Sequence, residues 1–468
     1  MCNFAADYHN RVSLSDDCDY NLMNMIKKLS ITAVSLLTAI AAMAEGYQIN
    51  TLSARQIAMG HTGVSQKLGA ESMFFNPAGM GFMESTVDAS IGVAAIASSA
   101  SAEIDGKRYE TNSKVSTPMY AYAGFKIFDN LKAGVTFYTP YGSNINWGDN
   151  WPAAILNQRV TLKMYAVQPT VAWRITPKLS VGAGLVLSWG NIDLHKGLIV
   201  ASSMDQMLEA MGSDMRFGDI TPASANLVGS TGIRVGFNVG AMYDINEQFT
   251  VGASFRSRIN MKVKAGDITV SYASEAAQKL LEQQLGLMHG TQFKAEMPQP
   301  YSLVFGVTYR PTPKWEVAAD AHLSGWSTYK QLDIEMLSEQ LKAFDQHIVK
   351  AYHNSWAVRL GAKYEATERL DVRAGFSVDL TPVNKNYYNP ETPGQTRVSP
   401  SVGISFRPVK HLQVDVSCAY VAGCGADNVS NVYTDLVYAK MGLPAERTIG
   451  GNYKLHAWTP AISVGYSF

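Results

Sequence analysis

Four cations, Arg256, Arg258, Lys262 and Lys264, fall on even positions of the segment 250–265, while Val251, Ala253, Phe255, Ile259, Met261 and Val263 fall on odd ones. Residues two apart on an extended chain share a face, so the spacing sets a line of positive charge to one side. Arg256, Arg258 and Lys262 are thus candidate contacts for a ligand carboxylate. Most of this charge is expected to pair with acids on neighbouring segments, such as Asp320, Asp371 and Asp379, because unpaired buried charge is costly. A second set of candidates is apolar. In MDQMLEAMG, Met204, Met207, Leu208 and Met211 share one helical face, and in ASEAAQKLLEQQLGLM so do Ala277, Leu280, Leu281 and Met288. Two such faces either form a greasy groove, in which methionine adapts to varied ligands, or pack on the loops beneath them. Covalent chemistry finds no support. The 9 histidines are scattered, and neither a G-x-S-x-G elbow nor an H-E-x-x-H motif is present. No enzyme, metal or cofactor is expected.

Composition narrows the class further. The 468 residues carry 39 basic and 39 acidic side chains, which gives no footprint for nucleic acid. Charged residues make up 17% of the chain, below the roughly 25% of soluble proteins, and imply a surface that does not face water. From Met25 the chain reads MIKKLSITAVSLLTAIAAMAEGYQ, two lysines followed by a short apolar run and a small-x-small site. That is the pattern of an export signal cut before Glu45. Residues 1–24 read as a polar leader from a start codon set too far upstream, 25–44 as the signal, 45–82 as a separate leading segment and 83–468 as the main domain. Cys418 and Cys424, six positions apart in and after one strand, are expected to be unpaired.

The elements that position these residues are strands. Fourteen segments alternate with period two, from Thr86–Ile104 through Thr250–Ala265 to Ala457–Phe468. Many run about 10 residues or more, as tilted membrane strands of roughly 9–11 residues require. Aromatics such as Trp189, Tyr243, Tyr309, Trp315, Trp356, Tyr364 and Tyr466 stand at strand ends like interfacial girdles. Short connections alternate with long ones, which puts periplasmic turns at one end and extracellular loops at the other. The expected fold is all-β: a 14-stranded antiparallel transmembrane β-barrel in a Gram-negative outer membrane, with lipid and the barrel-assembly machinery as partners. Residues 45–82 do not alternate. They end in FFNPAGMGF, where Asn76-Pro77 favours a turn, and the bore is where so apolar a segment can hide.

EGYQINTLSARQIAMGHTGVS with FFNPAGM resembles the hatch of the FadL long-chain fatty acid transporters and the related outer-membrane hydrocarbon transporters. Their Asn-Pro-Ala motif is matched by Asn76, Pro77 and Ala78, flanked here by Phe74, Phe75 and Gly79. Stretches 255–266 and 297–329 and the terminal strand are similar too. The resemblance implies passive uptake of hydrophobic molecules, bound among extracellular loops, passed into the barrel and released sideways through a gap at a kinked third strand. The counterpart here is Pro140, Tyr141 and Gly142, since Pro140 cannot donate a ladder bond and Gly142 weakens pairing; otherwise Pro140 marks the strand's end. The family's carboxylate-binding residues find no position-by-position match. A porin for polar solutes, or a structural or adhesive barrel, is the competing reading.

Overall fold

Period-two alternation lets each strand turn an apolar face outward and small or polar side chains inward. The computed structural model describes residues 46–285, 291–339, 342 and 345–468. The leader, the export signal and Met288 lie outside the described residues. The wall consists of β1 (Val87–Ala94), β2 (Met119–Phe128), β3 (Leu131–Asn146), β4 (Arg159–Arg174), β5 (Leu179–Gly197), β6 (Arg234–Asp244), β7 (Phe249–Arg256), β8 (Ser302–Thr312), β9 (Trp315–Ser324), β10 (Ser355–Thr367), β11 (Leu370–Asp379), β12 (Arg397–Phe406), β13 (Leu412–Gly423) and β14 (Glu446–Ser467). Each pairs antiparallel with the next, and β14 closes the ring on β1 from Asp88↔Ser467 to Ala94↔Ala461. Phe468 and Val87 exchange two backbone hydrogen bonds of 2.8 and 2.9 Å at the seam. Closure removes the sheet edges that a bilayer would leave unsatisfied.

Outward apolar residues are exposed on every side of the ring. On β14 Trp458, Ile462, Val464 and Tyr466 are exposed, whereas Ala457, Thr459, Ala461 and Ser463 are buried. A water-soluble monomer does not display so continuous an apolar surface. Aromatics bound it above and below: Tyr165 and Trp173 on β4, Trp356 and Tyr364 on β10, and Trp458 and Tyr466 on β14 are each eight positions apart. That separation is roughly 26 Å along a strand and about 20 Å after a tilt near 40°, which matches an apolar membrane band of ~25 Å.

One predicted strand is broken. The segment 86–104 runs on along β14 in one register, from Ala94↔Ala461 to Ala97↔Trp458, while its other neighbour changes from β2 to Lys107–Glu110. The segment 250–265 breaks after Arg256. Ile259–Tyr272 pairs instead with Ala223–Ser230 and Thr291–Gln299, and Gln331–Met336 and Gln346–Val349 extend this sheet outside the wall. Ile259, Met261 and Val263 are buried inside that platform. The parity of the alternation survives the break, so the apolar side that meets lipid in β7 meets protein beyond it. The spacing puts Arg256, Arg258, Lys262 and Lys264 on one face of a single strand, which in a barrel would be its lumen side; with the strand broken, Arg258, Lys262 and Lys264 do not face the lumen.

Candidate functional site

Residues 46–82 contact inner-face groups on strands around the ring, and so occupy the bore. Asp320 of β9 accepts from the N–H groups of Gly63 at 2.7 Å and Val64 at 3.1 Å. On the other side Glu71 accepts from Ser53 at 2.6 Å, from Ser90 of β1 at 2.9 Å, and from Arg55 at 2.9 Å. Where plug backbone meets the wall, the wall is glycine. Gly182 pairs across strands with Gly240, Gly252 with Gly306, and Gly361 with Gly375. A Cβ on Gly182 would stand 2.4 Å from the Pro77 carbonyl carbon, on Gly252 2.1 Å from the Val64 oxygen, and on Gly375 1.9 Å from the Gly60 nitrogen. Only a missing side chain permits that approach.

FFNPAGMGF is bonded both within the plug and to the wall. Fully buried Asn76 donates to the carbonyls of Val64 at 2.7 Å and Ala241 of β6 at 3.0 Å, and its Oδ1 caps the turn Pro77–Phe82 through the Ala78 N–H at 3.1 Å. Pro77 fits the first position of that turn, where no N–H is needed. Short helices α1 (Ala54–Ile57) and α2 (Ser72–Phe75) precede it. The orphan carbonyls at the end of α2 are met by luminal donors: Gln168 and Asn238 to Met73 at 2.7 and 3.1 Å, Arg256 to Phe74 at 2.9 Å, and Ser254 to Phe75 at 3.0 Å.

Of the three candidate carboxylate contacts, Arg256 alone borders the lumen. It also donates to Tyr138 Oη at 2.5 Å and stacks its guanidinium over the Phe74 ring at 4.6 Å. Arg258 is exposed and bonds Asn260, while exposed Lys262 pairs with Glu296 at 2.7 Å on the outer side of the platform. Nor do the named acids serve these cations. Asp371 pairs with Arg373 and Arg407, and Asp379 lies 3.7 Å from Arg359.

Pairing of β3 is interrupted around Pro140. Pairing of β3 with β2 ends at Tyr120↔Tyr138, and a bulge follows against β4, where the register jumps from Tyr138↔Ala166 to Tyr141↔Met164. The edge that β2 leaves free is taken by the start of the plug. Ile49 N–H bonds the Pro140 carbonyl at 2.9 Å, and Gly142 N–H bonds the Tyr47 carbonyl at 3.0 Å. Tyr47 is anchored among Tyr141, Trp326 and Tyr329, and its hydroxyl donates to the Pro298 carbonyl. No sequence signal marked the contacts of Tyr47; they became visible only through segments distant in the chain.

A cavity of about 810 Å³ adjoins this break. From inside it is lined by His61, Tyr141, Met164 and Asp379, and from the outer side of the wall by Met119 and Tyr165. Even positions of β4 are buried and odd ones turn outward, so the cavity reaches both faces of the wall at the break. Among the loops, Met204, Met207 and Leu208 on α3 (Ala201–Ala210) are buried against Leu281 and Ala277 of α4 (Glu275–Leu285) and Val437 of α5 (Leu436–Lys440), with Leu280 packed beside them. The predicted faces meet, but they are closed on one another. Met211 stands apart, exposed.

Residues 35–468 match the family described as "Outer membrane protein transport protein (OMPP1/FadL/TodX)". Outer membrane protein P1 of Haemophilus influenzae is 24% identical over 351 residues, covering 73% of this chain and 72% of that one. Among solved structures, a Pseudomonas aeruginosa FadL homologue superposes with a TM-score of 0.75 at 17% identity, over 91% of this chain and 100% of that one. The toluene transporter TodX of P. putida gives 0.62 at 15% identity, over 91% and 99%. At these identities the structural likeness speaks to the fold, the ring of 14 antiparallel strands. The family match spans nearly the whole described barrel, and with it this chain belongs to the OMPP1/FadL/TodX outer membrane transport proteins, β-barrel transporters of hydrophobic substrates and not enzymes.

Proposed function

We propose that this barrel carries long-chain fatty acids or related hydrocarbons passively from the cell exterior into the outer membrane, with residues 45–82 as its hatch. Ligand is received among the loop helices around Met204, Met207, Leu208 and Leu281, where methionine side chains repack at low cost. It passes into the bore, where Arg256 is the cation placed to meet a carboxylate above Phe74. It leaves between β2 and β3 at Pro140, Tyr141 and Gly142. The observation that carries this reading is the cavity that borders the inner and outer sides of the wall at one break, because a solute confined to the bore needs no opening towards lipid. Passage requires Tyr47 and Ile49 to come away from the edge of β3 that they hold by backbone hydrogen bonds.

Cells lacking the gene, with and without the plasmid-borne chain, are to be compared for uptake of radiolabelled oleate and toluene. Restored uptake of either supports transport, and unchanged uptake of both refutes it. Purified protein in planar bilayers separates the competing porin reading, which requires large steady conductance through a bore that the hatch here fills.

A further inference from the structure

A second, smaller crevice lies under the platform. It measures about 30 Å³ and is lined by Leu194, Leu227, Met261, Val263, Phe293 and Ile334, with no charged side chain in its lining. The large cavity, by contrast, includes His61, Asp379 and Arg397. Leu162 and Met164, inward residues of β4 that are 5% and 2% exposed, line both spaces. They stand where an apolar compartment meets a polar one.

Resting on the transport reading above, we propose that Met164, backed by Leu162, is the partition between a hydrocarbon-receiving crevice and the bore, and so determines the width of molecule that passes. Two features make Met164 suited to move. Its thioether is an unbranched, rotatable side chain. Its sulfur is held by one weak hydrogen bond, from Gln299 Nε2 at 3.4 Å, and Gln299 is itself tethered to Ser188 at 2.7 Å. Opposite it in register is Gly190, where a Cβ would come within 3.0 Å of Met164 Cγ, so Met164 sits where it does because that position carries no side chain. The crevice as it stands has room for a water or two and not for a hydrocarbon. Passage therefore requires Met164 to turn aside.

The test uses intact cells producing the full chain, with toluene as the narrow solute and phenanthrene as the wide one. Met164→Ala removes the partition; Met164→Leu keeps its volume but gives up the sulfur bond and a rotatable bond; Met336→Ala removes buried volume from the platform at a residue that lines neither space. Folded barrel is matched between strains by resistance to unfolding in cold detergent. Met164→Ala is expected to raise the phenanthrene-to-toluene uptake ratio at least fivefold, Met164→Leu to lower phenanthrene uptake, and Met336→Ala to leave the ratio within twofold of the parent. Toluene uptake by the parent with an unchanged ratio in both Met164 variants overturns the partition, as does an equal change in Met336→Ala. A parent that takes up neither solute overturns the transport reading, and the partition with it.

Discussion

Removal of the Glu71 carboxylate tests how the hatch is held. Glu71 is fully buried and accepts from Ser53, Ser90 and Arg55 at 2.6–2.9 Å. Arg55 is 21% exposed and keeps a second acid, Asp415, at 3.8 Å. Hydrogen bonds to a charged group contribute about 1.5–3 kcal/mol each, and breaking a buried ion pair from one side costs about 3–5 kcal/mol. The two figures describe overlapping losses, and Asp415 with partial solvent softens the second. The net for Glu71→Ala is therefore about 3–4 kcal/mol, a shift of roughly 10²–10³ in the equilibrium between the folded leading segment on the wall and an opened form, in which the internal bonds from Ser53 and Arg55 are lost together with that from Ser90. Hydrogen exchange in lipid nanodiscs reads it directly. Amides of 53–59 and 69–73 should exchange at least a hundredfold faster, whereas wall amides of β10 and β11, which do not touch Glu71, keep their parent rates. Hatch exchange within threefold of the parent, or equal acceleration in the wall, refutes the argument.

Stapling the plug to the wall tests the exit. Gln48 and Tyr141 form an antiparallel bridge, whose Cα separation of about 4.5–5.5 Å suits a disulfide; Gln48→Cys with Tyr141→Cys, in a chain with Cys418 and Cys424 replaced by serine, should lose uptake when oxidised and regain it on reduction. Uptake by the oxidised form would remove β2–β3 as the route. Ile462→Arg, at the middle of the lipid face, should cost about 2–4 kcal/mol in urea unfolding from liposomes, and His456→Arg above the Trp458 girdle about 0–1 kcal/mol; equal costs would displace the proposed band. Outside the membrane, the hydrogen bond to Asp333 at 2.6 Å raises His347 above its usual range. Burial pushes Asp333 up, but its bonds from His347 and Gln331 outweigh this and leave it low. A raised histidine stabilises below its unfolded pKa and loses that effect as pH rises through the folded value; a lowered carboxylate stabilises above its unfolded pKa and loses it on acidification. The strand Gln346–Val349 should accordingly be best protected near pH 5–6 and exchange faster, after correction for intrinsic rates, above about pH 7. His347→Gln should abolish that dependence, and protection that is flat with pH would sink the pairing.

What the sequence made legible follows from where physical chemistry is local. Alternation at β14, where Trp458 to Phe468 all turn outward on even positions, needs only the pleat and a boundary between lipid and lumen. Short turns against long loops need only chain length. The break at Arg256 was hidden for a physical reason: strand, parity and apolar content continue through it, and only the partner changes, from lipid to the platform. Charge on Lys262 is satisfied by Glu296 across a strand that pairing alone could reveal. The hatch contacts were hidden differently. Gly182, Gly240, Gly252 and Gly306 looked like the small residues of any polar lumen, yet each sits on an inner face where plug atoms come closer than a Cβ allows. Paired glycines across neighbouring strands are a costly choice for a sheet, because they weaken it and pack nothing. Their concentration at the height of the plug is explained if the wall gives up side chains so that hatch backbone and wall backbone can meet. The glycines, more than the motif itself, show how closely the wall fits the leading segment, from Met59, Gly60 and Val64 to Asn76 and Pro77.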